Sequence, residues 1–362
     1  MDFFKRSEKD IENGQEAAAE VTQTMEQAAQ EAPAHDVYEE VAQTPVEPAE
    51  VSPDAEKKEE PAFDPAEYYT EPARHEEYVI LVDRGADIDR TAPGAEEIGC
   101  IPMEYSYMDQ MRTSDTQEDK VFLHLFYEGQ RDGALTKTSQ VSPFTYREVF
   151  NRYLEEGKSV LYIALSSGLS ATFDSACMTG RQAEKDYPGC RVCVVDSLSA
   201  SGGIGVLAER ALRNRKKGMS LEENYADIQE AAHHVCLWLA VQDLSYLKRG
   251  GRLSGSSAAF GTLLRVSPLL KINGKGKLEA ITNKRGRKAV VSGMQQFFEG
   301  AYKADSRDVI YLSDADNEEL AAQVESAIRV QYPSAVIRRV GLSPIIGAHT
   351  GPDAVLLCHM GK

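Results

Sequence analysis

VLYIALSSGLSATFDSA (160–176) decides the reading of this chain. Five of its first six residues are aliphatic, which marks a buried strand ending near Leu165. Ser166-Ser167-Gly168 breaks the run, and from Leu169 onward the spacing of Phe173 and Ala176 is helical. The stretch is a strand, a turn of small residues, and a helix start rich in hydroxyls. Such a start carries unsatisfied backbone N–H groups and the positive end of the helix dipole, so it suits a phosphate or a carboxylate. Plain N-capping by Ser167 or Ser170 would give the same pattern.

Working outward, the same grammar recurs. YVILVD (78–83) reads as a strand, and IGCIPMEYSYM (98–108) as a second candidate. VFLHLFYEG (121–129) fits helix or strand. Ser142-Pro143 opens an amphipathic helix carrying Phe144, Val149, Phe150, Tyr153 and Leu154. RVCVVDSLSASGGIGVLAERALRNRKKG (191–218) is again strand, turn and helix. Strands alternating with helices predict a parallel sheet with crossover connections. After a helix near 221–234 the pattern shifts. CLWLAVQDLSYL, SPLLKINGKGKLEAI, RDVIYLSDA, SAVIRRVGL and DAVLLCHMG read as strands, with hairpin chemistry at Asn273-Gly274 and Lys275-Gly276.

Three segments follow: an acidic extension (1–75), an α/β domain with a parallel sheet (76–235), and an α+β domain with a largely antiparallel sheet (236–362). The extension holds 6 Lys and Arg against 20 Asp and Glu, a net of −14 out of −17, so the remainder is nearly neutral. Rich in Glu, Ala, Gln and Pro, it buries too little apolar surface to offset its ordering entropy; residues 11–32 favour at most a fraying helix. No run is long and apolar enough to span a bilayer, and the start lacks the apolar core of a signal peptide. Six cysteines without framework spacing fit a reduced, cytoplasmic protein.

Several motifs invite sharper readings. Gly203-Ile204-Gly205-x-x-Ala208 resembles a dinucleotide fingerprint, but six residues separate Asp196 from Gly203 and no acidic residue closes a second strand at the expected distance. Cys190 and Cys193 stand as a lone pair leading into a strand, so buried thiols are expected rather than metal. His233 and His234 point to different helix faces. Ser170, His349 and Asp196 lack the strained nucleophile elbow of a hydrolase. From Lys248 to Lys288 there are 11 Lys and Arg and one acid, Glu279. This basic stripe suits phosphate or an anionic partner, while Phe260 alone gives little support for base stacking, so nucleic acid is not expected. The intervening SGSSAAFGTLLRVSPLL (254–270) suits close helix packing.

TSQVSP (138–143), SSGLSAT (166–172), DLSYLKRGGRLS (243–254) and IGAHTGP (346–352), with VVDS (194–197) between them, together resemble the DegV family, the lipid-binding subunits of bacterial fatty acid kinase. The likeness covers residues 78–362. It implies a two-domain fold with a fatty acid between the domains, its carboxylate held by Thr138, Ser170 and His349. It implies a non-catalytic, cytoplasmic protein of phospholipid metabolism. A separate kinase subunit would phosphorylate the bound carboxylate, meeting the basic side through Arg249, Arg252 and Arg287. Transient contact with a membrane is compatible with that role, and no cofactor is expected beyond the ligand itself. The chain departs from the family pattern at Arg84-Gly85 in the first turn, and at Val141, Ala171, Ser267 and Asp353. A stand-alone phosphotransferase or hydrolase acting on a small anion is the alternative, but the chain has neither a phosphate-binding G-x-x-x-x-G-K-[ST] loop nor a convincing acid pair for Mg²⁺.

Limited proteolysis should leave a stable core beginning near residue 76. A truncated core melting several degrees below the full chain would show instead that the extension packs on it.

Overall fold

The computed structural model describes residues 77–115, 117–253, 266–303 and 307–362. The expected helix at 11–32 and most of SGSSAAFGTLLRV lie outside these residues. In chain order the elements are β1 (Tyr78–Asp83), β2 (Ile98–Ile101), β3 (Met103–Tyr107), β4 (Gln110–Ser114), α1 (Lys120–Arg131), β5 (Thr136–Thr138), α2 (Pro143–Leu154), β6 (Ser159–Ala164), α3 (Thr172–Asp186), β7 (Val192–Asp196), α4 (Gly202–Lys216) and α5 (Leu221–Ala232). Then come β8 (Val235–Ala240), α6 (Ser245–Arg249), β9 (Ser267–Ile272), β10 (Leu278–Lys284), α7 (Arg287–Ala301), β11 (Ile310–Asp314), α8 (Glu318–Gln331), β12 (Ile337–Gly341), α9 (Pro344–Thr350) and β13 (Val355–Met360).

Three sheets result. The first, in the order β2-β1-β6-β7, is parallel throughout. β6 is buried along its whole length, which is why its sequence is a continuous apolar run rather than an alternation. The second, β10-β9-β8-β13-β11-β12, is antiparallel except at β11–β12. A small antiparallel sheet, β4-β3-β5, carries Thr138 at its end. The α/β architecture with a parallel sheet and a mainly antiparallel one is thus the expected one.

Three local expectations resolve differently. Pro102 splits IGCIPMEYSYM into β2 of the first sheet and β3 of the small one. The ambiguous 121–129 stretch is helical, capped by Asp119, whose side chain accepts from Phe122 N at 2.8 Å. CLWLAVQDLSYL is strand only to Ala240; Asp243 then accepts from Ser245 N at 2.8 Å and the chain turns into α6.

α4 packs against both large sheets, and residues Gly202 through Asn214 are almost continuously buried. This explains one of the glycines that resembled a nucleotide fingerprint: a Cβ at Gly205 would sit 2.8 Å from Tyr311 Cζ, so glycine lets helix and sheet approach, while a Cβ at Gly203 would meet Ser199 Cβ at 2.9 Å. The same tyrosine donates its hydroxyl to the buried Glu209 carboxylate at 2.7 Å, and Arg338 supplies the counter-charge at 3.2 Å.

At the end of β1 the buried Asp83 accepts from Tyr162 OH at 2.6 Å, Leu165 N at 2.8 Å and Gly85 N at 2.7 Å, fixing the start of the turn after β6. Arg84 is buried and turned toward Glu118 at 2.7 Å and Ser114 at 2.9 Å. Asp87 joins the first sheet's loop to the C-terminal segment by accepting from Ser343 N at 2.9 Å, while its Oδ2 has no hydrogen-bond partner. Burial pushes this carboxyl up to about 6, against the pull of its hydrogen bonds and of Arg84.

A folded carboxyl that keeps its proton to about pH 6, against ~3.9 when unfolded, makes stability fall as pH rises between those values. Asp87→Asn does not titrate. The wild type should therefore gain relative to the variant by about 2 kcal/mol on acidification from pH 7 to pH 4. Paired thermal melts check this, and a pH-independent difference would show an ordinary Asp87.

Candidate functional site

A cavity of about 330 Å³ lies among the first sheet's turns, β8, β13 and α9. Leu165, Leu237, Leu239, Leu278, Ile345 and Leu356 make its apolar lining. Thr138, Ser170, Arg252 and His349 also line it, so a strand end, two loops and a helix distant in sequence converge there. A largely apolar chamber with a few converging polar groups is the usual form of a small-molecule site.

Each polar group has a local reason to be there. Ser166 donates to Gly276 O at 2.9 Å and accepts from Gly168 N at 3.1 Å, docking the turn after β6 on the β9–β10 hairpin. A Cβ at Gly168 would meet the carbonyl of Gly276 at 2.5 Å, so this contact requires glycine. The helix starts only at Thr172, with Ala171 as an N-cap that offers no side-chain bond. Ser170 instead shares a 2.7 Å hydrogen bond with the Thr172 hydroxyl and accepts from Thr172 N at 3.3 Å. Neither Ser167 nor Ser170 is the cap.

Thr138 Oγ1 and His349 Nε2 are 2.7 Å apart. His349 Nδ1 is buried without a partner beside Gly250. Burial, and then the charge of Arg252, push the imidazole down to about 4, so it is neutral at physiological pH. A neutral imidazole protonated on Nε2 donates to Thr138 Oγ1 in this contact and leaves the threonine hydroxyl free to donate to a carboxylate, which only accepts.

The three arginines of interest separate. Arg252 lines the cavity, donating Nε to Leu169 O at 3.0 Å and Nη1 to Gly250 O, and no carboxylate among the described residues pairs with it. Burial lowers its pKa, as expected of a cation with no counter-charge. Arg249 is exposed, its guanidinium 4.7 Å from the Tyr246 ring centroid. Arg287 is exposed at the start of α7 and paired with Glu319.

Other candidates are otherwise engaged. Asp196 accepts from the N–H groups of Ser167 and Leu198, both at 3.1 Å. All six cysteines are free, including Cys190 and Cys193. His233 and His234 sit exposed in the turn after α5. His124, Glu128 and Asp316 converge at the surface, where Arg131 already donates to Glu128 at 2.6 Å and Asp316 at 2.7 Å. Of the family departures, Ala171 lines the cavity, whereas Arg84, Val141 and Ser267 are buried away from its lining.

The model of the DegV family, described as uncharacterised proteins, matches residues 77–360. The chain belongs to the DegV family. The DegV domain-containing protein CPE0026 of Clostridium perfringens is 30% identical over 284 residues, covering 78% of this chain and 97% of that one. A DegV family protein from Thermus thermophilus, whose structure is described for fatty acid binding, is 27% identical with a TM-score of 0.67, covering 78% of this chain and 99% of that one. The Streptococcus pneumoniae fatty acid kinase (Fak) B3 protein, solved with linoleic acid, shares the fold at TM-score 0.70 and 23% identity, over 79% of this chain and 100% of that one. Among the described residues of this DegV chain no helix is long and apolar enough to cross a membrane.

Proposed function

We propose that this DegV protein binds a long-chain fatty acid in the cavity and presents its carboxylate to a separate kinase subunit, without itself catalysing the phosphoryl transfer. The observation that carries the reading is the pairing of an apolar chamber with the Thr138–His349 contact and Ser170 in its wall. The Thr138 hydroxyl, oriented by the His349 N–H that donates to it, and the Ser170 hydroxyl supply donors to the head group. Arg252 faces the same chamber and balances the carboxylate's charge. A chain of roughly fourteen methylenes at about 0.8 kcal/mol each gives on the order of 11 kcal/mol of gross burial energy, so the acyl chain dominates affinity. The protein would work in the cytoplasm, collecting its ligand through transient contact with a membrane surface.

Mass spectrometry of an organic extract of the purified protein should reveal a bound fatty acid. Replacing Thr138, Ser170 or His349 by Ala should weaken fatty acid binding by about 1–3 kcal/mol, the range for a hydrogen bond to a charged group. Unchanged affinity in all three variants would place the carboxylate elsewhere.

Bringing ATP phosphates to a bound carboxylate is repulsive without cations nearby. Arg249 and Arg287, exposed beyond the chamber's lining, fit that task, while Arg252 stays with the head group. Arg249→Glu and Arg287→Glu should leave fatty acid affinity intact and abolish acyl-phosphate formation by the kinase. The wild-type encounter should also slow as salt rises, because exposed charges are screened beyond ~10 Å at 0.1 M. Undiminished phosphorylation by the reversed variants would reduce both arginines to solvated surface.

A further inference from the structure

Gln130 lies near the end of α1, outside every motif of the family resemblance, and is almost fully buried, with 1% of its surface exposed. Its side-chain amide donates Nε2 to Thr136 Oγ1 at 2.9 Å and to Gly347 O at 3.2 Å. The Gly347 acceptor is a carbonyl, which settles the orientation of the amide: the nitrogen must face it. The amide oxygen, Oε1, is buried with no partner. Leaving a buried acceptor unpaired is costly, so what holds this amide in place is the work of its nitrogen.

The two acceptors are not arbitrary. Thr136 precedes Thr138 by two residues on β5, and strand periodicity puts their side chains on one face. Gly347 precedes His349 by two residues on α9. One amide therefore ties together the two elements whose side chains meet at 2.7 Å in the cavity wall. Neighbours reinforce the grip. Tyr127, one helical turn earlier on α1, donates to Leu342 O at 2.8 Å just before α9 begins. Tyr246 of α6 donates to the backbone oxygen of Gln130 at 3.0 Å.

We propose that Gln130 is a positioning residue for the head-group site, one that sets the Thr138–His349 spacing by bridging β5 and α9 without touching ligand. The proposal rests on the carboxylate-binding reading above and deepens it. Removing the bridge lets β5 and α9 separate enough to weaken the Thr138–His349 bond and misorient the threonine hydroxyl that it aims. Most of the apolar lining, Leu165, Leu169, Leu237, Leu239, Leu278 and Leu356, stands on elements the bridge does not hold, and only Ile345 and Ile346 come from α9, at its opposite end from His349. The loss should fall on the carboxylate and spare the chain.

The test compares palmitate with hexadecanol, equal in chain length and lacking the carboxylate, on the full-length protein at pH 7. The wild type should prefer the acid. Gln130→Met, close in size and without the amide, should cut palmitate affinity about tenfold and change hexadecanol affinity less than twofold. Thr136→Val, which removes one limb of the bridge, should give a smaller loss of about threefold with the same selectivity, and carries the test if Gln130→Met does not fold. An acid-to-alcohol ratio equal to the wild type's in the folded variants, or equal weakening of both ligands, overturns the proposal. A wild type that does not distinguish acid from alcohol overturns the head-group reading itself, whatever the variants do.

Discussion

The hydrogen bond between Thr138 and His349 joins residues separated by 211 positions, and much of the molecule is arranged so that it can form. Thr138 ends a three-stranded sheet and His349 sits in the last turn of a seven-residue helix, two elements with little rigidity of their own. α1 supplies it: packed beside their contact, it presents Tyr127 and Gln130 to the segment around α9 and Gln130 to β5. From the other side, the three hydrogen bonds on Asp83 and the Ser166–Gly276 contact hold the turn that carries Ser170. The site is precise because its supports are buried polar contacts. The apolar chamber needs only well-packed leucines and isoleucines.

The electrostatics follow from the same burial. His349 is kept neutral partly by Arg252, whose positive charge has no carboxylate partner among the described residues. A protonated imidazole beside an unpaired guanidinium would put two cations in a largely apolar chamber. Holding the histidine neutral leaves one positive charge to balance the carboxylate of the proposed ligand, with the imidazole orienting the Thr138 hydroxyl.

Much of this was legible in the sequence where the signal was local. The aliphatic run to Leu165 and the small-residue turn after it gave the strand and its exit, because a strand buried on both faces has no alternation to hide. Asn273-Gly274 placed the β9–β10 hairpin. Residues 121–129 stayed ambiguous, because the cap that decides them, Asp119, lies outside the apolar run. The Gly203–Gly205 pattern was visible, but the reason for Gly205, the ring of Tyr311, is more than a hundred residues away, and Gly203 faces Ser199 in the preceding turn. Thr138, Ser170 and His349 came from the family resemblance. No periodicity pairs a strand end with a helix 211 residues on, and nothing local marks Gln130, a single polar residue on a mostly apolar helix face.

Asp353 shows how a departure from the family pattern is absorbed. It adopts φ +63°, a conformation that favours glycine, so an aspartate there is strained. Its carboxylate meets Arg131 at 2.8 Å, and Asp316, also left-handed at φ +58°, meets the same guanidinium at 2.7 Å. Pairing with these carboxylates holds Arg131 firmly protonated. Arg131 is the residue after Gln130, so adjacent positions at the end of α1 hold the two ends of one short stretch, Gln130 at Gly347 within α9 and Arg131 at Asp353 just beyond it. A glycine at 353 would relieve the strain and lose the clamp. The aspartate accepts the strain and stiffens the exit from the helix that carries His349.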